Sequence, residues 1–123
     1  MITIIYEKYF QDSNFDMQEG IIQRTIQYIT ENLSNDLTIT GISDYLQVSA
    51  GHLSRSFKKA TGHTVLEYIT LVRMKKAVEF FEKKEYRISE IAYFVGFNDP
   101  KHFSNTFRKY IGVTPTEFRN HLN

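Results

Sequence analysis

The middle and the end of this chain carry the same sequence pattern twice. Residues 39–68 align with residues 88–118 when one extra residue is allowed in the second copy near Asn98. A repeat of this kind means that one supersecondary unit is used twice, so any fold of the chain must contain both copies. Nine aligned pairs are identical: Ile39/Ile88, Ile42/Ile91, His52/His102, Ser54/Ser104, Phe57/Phe107, Lys59/Lys109, Gly62/Gly112, Thr64/Thr114 and Glu67/Glu117.

Each copy has the pattern of two short helices around a tight break. A short apolar segment with helical spacing is followed by a polar or glycine-containing break and then by a basic segment. Apolar residues four apart predict that the basic segment is helical; these are Leu53/Phe57 and Phe103/Phe107. Two brief helices joined in this way are typical of a helix-turn-helix motif. We therefore predict helix-turn-helix units at about 39–60 and about 88–111.

Both copies also carry residues that start and end helices. Ser49 can cap the second helix of the first copy, and Asp99 followed by Pro100 does the same in the second copy. A glycine stops each of these helices, and a capping box starts the next one. The glycines are Gly62 and Gly112, and the boxes are Thr64/Glu67 and Thr114/Glu117.

The bulk composition restricts the class of protein. With 123 residues, 41% of them hydrophobic, the chain can form one compact domain, and strand signals are nearly absent after the first ten residues. We predict an all-α fold. Without cysteine, and without ligand spacing among the histidines, no metal site or cofactor is predicted. No apolar run approaches the ~18 residues of a membrane span, and no signal peptide is present, so we expect a cytoplasmic protein.

The rest of the chain divides around the two copies. Residues 1–15 are predicted to be an N-terminal arm or linker remnant, and a helix with an apolar stripe begins near Asp16. A long linker helix is predicted at about 65–85, with Leu66, Ile69, Arg73, Ala77 and Phe80/Phe81 on its buried stripe. Its length of about 31 Å, at ~1.5 Å per residue, is close to the ~34 Å of one DNA turn. Such a helix suits two units in adjacent major grooves, although it is equally compatible with an ordinary core helix.

Charge is distributed unevenly along the chain. Residues 1–48 carry two basic and seven acidic residues, a balance of −5, whereas residues 49–123 carry thirteen basic and seven acidic residues, a balance of +6. The basic part contains most of both repeat copies, which favours a polyanionic partner. A solvated surface with an excess of lysine is the alternative.

A helical wheel separates the buried and exposed sides of the second helix in each copy. The residues predicted to face inward are Leu53, Ser56, Phe57, Ala60, Phe103, Phe107 and Tyr110. The residues predicted to read base edges are Gly51, His52, Ser54, Arg55, Lys101, His102, Ser104 and Asn105. Lys58, Lys59, Arg108 and Lys109 lie further along their helices, where phosphate contacts are expected instead. Arginine pairs with guanine and asparagine with adenine; a solvated or phosphate-bound Arg55 and a surface His52 without a partner remain alternatives.

These motifs resemble the AraC/XylS family of bacterial transcription regulators over residues 16–123. The resemblance rests on Leu53-Ser-Arg-Ser-Phe57-Lys-Lys, Gly62, Tyr68, Arg73 with Ala77, Ile88-x-x-Ile91-Ala92-x-x-x-Gly96-Phe97, His102-Phe103-Ser-x-x-Phe107-Arg108-Lys109 and Gly112-x-Thr114-Pro115-x-x-Phe118-Arg119. It implies seven helices, with two DNA-contacting units joined by a long helix, and control of transcription. Carried onto matching positions, it places base contacts at Gly51, Ser54, Arg55, Pro100, Lys101, Ser104 and Asn105.

The sequence departs from the family pattern in three places. Gly51 stands where many relatives have a larger contacting side chain, so the first unit is expected to read fewer bases. Gln47 occupies the turn position that Gly96 holds in the second copy, and would cost ~1 kcal/mol if that turn needs a positive φ. Only fifteen residues precede the family domain, so we expect the chain to be a C-terminal piece of a longer regulator rather than a stand-alone member.

We therefore predict a protein that binds double-stranded DNA sequence-specifically and regulates transcription. RNA polymerase is an expected partner if the protein is an activator, and the isolated domain is expected to be a monomer without membrane contact. The alternative is a helix-turn-helix module that docks another protein. No phosphate loop, metal cluster or nucleophile signature is present, so an enzyme is not predicted.

Overall fold

The computed structural model describes residues 17–83 and 85–122, and within them the chain forms seven α-helices and no strand. The predicted all-α fold is confirmed, whereas the arm predicted at residues 1–15 lies outside the described residues. The helices are α1 (Met17–Glu31), α2 (Ile39–Leu46), α3 (Ala50–Thr61), α4 (Val65–Lys83), α5 (Ile88–Phe94), α6 (Pro100–Ile111) and α7 (Pro115–Leu122).

The described chain divides into two compact units, each containing one copy of the repeat. The first unit comprises the described residues up to Asn32 together with Asp36–Thr70. The second comprises Leu33–Asn35 and the described residues from Leu71 onward. Helix α4 is continuous through the division and contributes residues to both units.

The core of the first unit lies among its first three helices. Helix α1 packs against α2 and α3, and α2 packs against α3. Their buried stripes bring together fully enclosed side chains, including Ile22, Ile42, Leu53 and Phe57. Tyr68, at the start of α4, meets Phe57 edge-on with 5.3 Å between ring centroids. This packing fixes which side of α3 faces away from the core.

The core of the second unit is mainly aromatic. Phe107 has centroid distances of 5.4 Å to Phe81, 5.7 Å to Phe103 and 5.6 Å to Phe118. Phe97, in the turn before α6, lies 5.3 Å from Phe103. Edge-on and tilted ring pairs of this kind add about 0.5–1.5 kcal/mol each beyond the area they bury. Helix α6 is thereby held against α5 and α7.

Arg73 ties a distant loop into the second unit. Its guanidinium donates hydrogen bonds to the carbonyl oxygen of Leu33, at 3.3 Å from Nε and 3.2 Å from Nη2, and to that of Asn35 at 3.0 Å. The same group lies 5.7 Å from the centroid of the Phe97 ring. Gly96 adopts φ +98°, and a Cβ atom there would stand 2.3 Å from the Leu33 carbonyl oxygen. These contacts give Arg73 the structural role that its place on the buried stripe suggested.

Two residues that were predicted to face inward, Leu66 and Tyr110, are exposed. Leu66 is 59% exposed, because the buried face of α4 begins with Val65 and Tyr68, and Leu66 lies about 100° around the helix from Val65. Tyr110 is 38% exposed, since its ring lies at the end of α6 with the ammonium of Lys109 6.0 Å from its centroid. Helix α4 spans Val65–Lys83, close to the predicted range of about 65–85.

Candidate nucleic-acid interface

Helix α3 is the second helix of the first helix-turn-helix unit, and local signals fix both of its ends. Ser49 is the N-cap, and its hydroxyl accepts a hydrogen bond of 3.1 Å from the backbone N–H of His52. Gly62 ends the helix with φ 81°, and its N–H donates to the carbonyl oxygen of Lys58 at 2.9 Å. The predicted cap and stop residues are confirmed, so the register of α3 follows from the sequence.

Helix α6 is built in the same way in the second unit. The carboxylate of Asp99 accepts a hydrogen bond of 3.0 Å from the N–H of Lys101, and Pro100 occupies the first turn. Gly112 ends the helix with φ 99° and donates to the carbonyl oxygen of Arg108 at 2.9 Å. We call α3 and α6 the recognition helices.

The turn before each recognition helix has the same backbone form in both units. Gln47 has φ 61° and Gly96 has φ 98°, so both lie in the left-handed region. The next N–H groups then reach back to the preceding helix, from Val48 to Ser43 at 3.0 Å and from Phe97 to Ala92 at 2.9 Å. The turn does need a positive φ, so Gln47 occupies a conformation that favours glycine.

The inner sides of the recognition helices are anchored by fully buried residues. Leu53 and Phe57 in α3, and Phe103 and Phe107 in α6, are all 0% exposed. Because these residues hold one side of each helix in the core, the opposite side faces solvent.

The structure places every candidate DNA-contacting residue on that outer side or at its margin. Ser54, Pro100 and Ser104 are half-buried, and the ring of His102 lies 5.4 Å from that of Phe97. The exposed candidates in α3 are Gly51, His52, Arg55, Lys58 and Lys59, and those in α6 are Lys101, His102, Asn105, Arg108 and Lys109. Each unit thus gathers its own candidates on one helix.

The charge of the recognition helices has one sign. Each contains three basic residues and no acidic residue, namely Arg55, Lys58 and Lys59 in α3, and Lys101, Arg108 and Lys109 in α6. The nearest acidic groups that follow are the capping carboxylates of the next helices. Backbone hydrogen bonding by Thr64 lowers the pKa of Glu67, and by Thr114 that of Glu117, so both groups stay ionised as helix caps.

The relation between Gly51 and Arg55 was missed by the sequence analysis. A Cβ atom at position 51 would lie 3.1 Å from Nη1 of Arg55, so the guanidinium lies beside the space that a side chain at Gly51 would occupy. The spacing of four between the two residues is the signal that could have revealed it, since such residues are neighbours on a helix.

Other kinds of site find no support in the part of the chain that the structure describes. No group of three or more histidine, aspartate or glutamate side chains there is arranged to hold a metal ion. None of the helices described is both long enough and apolar enough to cross a membrane.

Comparison with known proteins shows the family. A family model described as a helix-turn-helix domain matches residues 42–121, a range that contains nearly all of the first helix-turn-helix unit and all of the second. The transcriptional regulatory protein YesN of Bacillus subtilis is 37% identical over 81% of this chain. The chain belongs to the AraC/XylS family. It spans 28% of the length of YesN.

Solved structures of other proteins have the same fold. The C-terminal domain of AraT, a response regulator from Geobacillus stearothermophilus, superposes with a TM-score of 0.82 at 36% identity, over 86% of this chain and 88% of that one. The DNA-binding domain of AdpA, solved in complex with a target DNA, shares the fold with a TM-score of 0.77 at 22% identity, over 81% and 90% of the two chains. The expected seven-helix architecture of the family is confirmed.

Proposed function

We propose that this AraC/XylS-family chain binds double-stranded DNA sequence-specifically and regulates transcription, with α3 and α6 entering adjacent major grooves. The observation that carries the proposal is the pair of capped recognition helices, each buried on one side and exposing three basic residues and no acidic residue on the other. A major groove admits an α-helix, and basic side chains neutralise its phosphates. The names of the relatives support the same conclusion, because YesN is described as a transcriptional regulatory protein and the AdpA domain binds DNA.

The exposed residues are assigned to two kinds of contact. Those in the first turns of the recognition helices are proposed to lie at base edges, because the N-terminal part of a recognition helix enters the groove. These residues are Gly51, His52, Ser54, Arg55, Pro100, Lys101, His102, Ser104 and Asn105. Lys58, Lys59, Arg108 and Lys109 lie in the last turns, and are proposed to bind phosphates.

The alternative function is a helix-turn-helix module that docks another protein. A docking face is expected to place apolar or aromatic residues at its centre. The outer sides of α3 and α6 instead carry arginine, lysine, asparagine and serine. Among the described residues, Tyr45, Leu66, Tyr93 and Phe94 are exposed large apolar residues on other helices, and Tyr110 is exposed at the C-terminal end of α6, away from its first turns. The distribution favours DNA over a protein partner at the recognition helices.

The remaining partners follow from the proposed activity. RNA polymerase is the proposed partner if the protein activates transcription, and we propose that the protein acts in the cytoplasm of a bacterium. We propose that the isolated domain binds as a monomer, because it contains two recognition helices of its own. No catalytic role is assigned to any residue.

A salt series tests the proposed function. About six phosphate contacts would give a log–log slope of affinity against salt near −5, at about 0.9 per phosphate. Lys58→Ala should lower the magnitude of the slope by about one and weaken all duplexes alike, because a phosphate contact carries no sequence information. Fluorescence anisotropy with labelled duplexes at several salt concentrations measures both quantities.

Two results would contradict the proposal. Affinity that does not change between low and moderate salt would exclude a phosphate-dominated interface and favour the protein-docking alternative. Equal affinity for single-stranded DNA would also count against it, because the outer sides of the recognition helices carry no aromatic platform other than the histidines for stacked bases.

A further inference from the structure

Gly51 and Arg55 lie one helical turn apart on the outer side of α3, and both are exposed. The position that a Cβ atom of residue 51 would take is 3.1 Å from Nη1 and 3.9 Å from Cζ of Arg55. A Cβ contact of 3.1 Å is closer than ordinary van der Waals contact, so even a methyl group at position 51 would require the end of the Arg55 side chain to shift by a few tenths of an ångström, and a longer side chain would require a larger shift. The absence of a side chain at Gly51 therefore allows the observed position of Arg55.

That position is at the end of α3 where a base reader is needed. Long side chains on a helix lean toward its N-terminus, and the guanidinium of Arg55 accordingly reaches the first turn. Residues of the first turn are those that meet base edges when a recognition helix enters a major groove. Within the described part of the chain, Arg55 forms no hydrogen bond or ion pair, so its donors have no acceptor among the described residues.

We propose that Gly51 determines the specificity of the first helix-turn-helix unit by admitting Arg55 to the first turn, where Arg55 reads a guanine. The inference rests on the proposed function and adds the base class and the residue that controls it. The planar guanidinium donates two hydrogen bonds to O6 and N7 of guanine, an arrangement that needs a defined direction of approach. Gly51 supplies the space for that direction and makes no side-chain contact of its own.

The second unit has the opposite arrangement at the same two positions. Lys101 stands where the first unit has Gly51, and Asn105 stands where it has Arg55. The second unit thus combines a long side chain in the first turn with a short one a turn later, and its asparagine suits adenine rather than guanine. The two units have capped recognition helices with buried apolar residues at matching positions, yet they carry different residues at this pair of exposed positions. Such a difference is expected for positions that set sequence preference.

The experiment selects binding sites from a randomised duplex library with the full 123-residue chain. Affinity is then measured for the selected site and for the same site with each guanine replaced by adenine. The variants are Gly51→Leu, Arg55→Ala and the double variant. Leucine forms helices well, and its branch extends beyond the Cβ position into the place of the guanidinium.

One guanine should depend on both residues. Arg55→Ala should reduce the preference for it by about 5- to 160-fold, which corresponds to about 1–3 kcal/mol. Gly51→Leu should reduce the preference for the same guanine by at least about fivefold, the lower end of that range. In the double variant the loss should equal that of Arg55→Ala alone, because Gly51 acts only through the arginine.

Gly20→Leu is the matched control. Gly20 lies in α1, and no described residue beyond its own helix backbone and chain neighbours comes within 4 Å of its Cβ position, so this change makes the same substitution in a helix without displacing an arginine. It should leave every base preference unchanged, and circular dichroism should show that all variants keep their helices.

Three outcomes overturn the inference while DNA binding stands. They are a guanine preference that survives Gly51→Leu, a further loss when Gly51→Leu is added to Arg55→Ala, and a selected site in which no guanine depends on Arg55. If the wild-type chain selects no sequence and binds without salt dependence, the proposed function itself fails.

Discussion

The hydroxyl of Tyr68 is buried in the first unit and has no hydrogen-bond partner among the described residues. Burial raises the pKa of this phenol to about 12, from an ordinary value of 10.0. The aligned position in the second unit is Phe118, which has no hydroxyl to satisfy. A buried polar group without a partner costs about 1–3 kcal/mol, so Tyr68 lowers the stability of the unit that contains it.

Tyr68→Phe should raise the free energy of unfolding at pH 7 by about 1 kcal/mol, because the unpaired hydroxyl is removed and the ring is kept. It should also reduce the loss of stability at high pH. The unfolded chain releases the phenol proton near pH 10 and the folded chain near pH 12, so stability from this group is lost as pH rises between those values. Urea denaturation across that range measures both effects. Tyr45→Phe is the control, since Tyr45 is 59% exposed, and a destabilised Tyr68→Phe would show that the hydroxyl has a partner.

Gln47 and Gly96 should respond in opposite ways to substitution. Gln47→Gly should raise the free energy of unfolding by up to about 1 kcal/mol, because Gln47 holds a left-handed conformation that glycine adopts without strain. Gly96→Ala should lower it by about 2 kcal/mol or more, because strain is added to a clash of the new methyl with the Leu33 carbonyl oxygen. Thermal and urea denaturation provide the measurements. If the two changes in the free energy of unfolding were equal in size and opposite in sign, backbone strain alone would account for both, and the contact with Leu33 would contribute nothing.

At the scale of the helix, the capping boxes before α4 and α7 make stability depend on acid pH. In each box the threonine N–H donates to the glutamate, at 2.8 Å for Thr64 and 2.9 Å for Thr114, and the glutamate N–H donates to the threonine hydroxyl. The first of these bonds is the main cause of the lowered pKa values of Glu67 and Glu117, with smaller contributions from Lys58 and Arg108. A carboxylate whose pKa is lowered by folding stabilises the folded state only while it is ionised.

Stability from the capping boxes should therefore be present above the ordinary carboxyl pKa of 4.5 and be lost as pH falls below it, through the lower pKa values of the folded state. The double variant Glu67→Gln/Glu117→Gln keeps an acceptor in each box but has no charge to lose. Its melting temperature should be lower than that of the wild type at pH 7 and should change less between pH 5 and pH 3, in thermal scans followed by circular dichroism. Parallel curves for the two proteins would remove the boxes as the source of the acid dependence.

The helices were predictable wherever their signals are local. Caps such as Ser49 and Asp99 act within three residues, so the starts of the recognition helices could be inferred from the sequence alone. The choice of Leu66 for the buried stripe failed, because Val65 and Leu66 are both apolar and only packing decides between them. The hydrogen-bond acceptors of Arg73 could not be predicted from the sequence, for a different reason. The hydrogen bond to Leu33 joins residues forty positions apart, and no short pattern records such a contact.

For the molecule as a whole, the repeat predicts a DNA site of two short sequences, one for each recognition helix, which we call the DNA boxes. The two DNA boxes should differ in sequence and should not form a palindrome. The two recognition helices expose different residues at matching positions, Gly51 and Arg55 against Lys101 and Asn105. They therefore cannot prefer the same bases. Helix α4 contributes residues to both units.

The centres of the two boxes should lie about 10–11 bp apart, the repeat of one DNA turn. Inserting five base pairs between the boxes should weaken binding more than inserting ten, because a half-turn moves one box to the far side of the duplex. Hydroxyl-radical footprinting on the three duplexes, with affinities measured in parallel, tests this. Full affinity with the half-turn insertion would mean that a single recognition helix engages DNA.

Leu33–Asn35 belong to the second unit although they precede the first copy of the repeat. The two copies are therefore not exchangeable modules. In the second unit, Arg73 donates hydrogen bonds to the carbonyl oxygens of Leu33 and Asn35, which precede the first copy. Gly96 lies so close to the Leu33 carbonyl oxygen that a Cβ atom would not fit. A protein cut at Leu71 would leave the guanidinium of Arg73 without these acceptors beside Phe97. The motif alone is therefore not a complete folding unit in its second copy, which relies on residues that come before both copies.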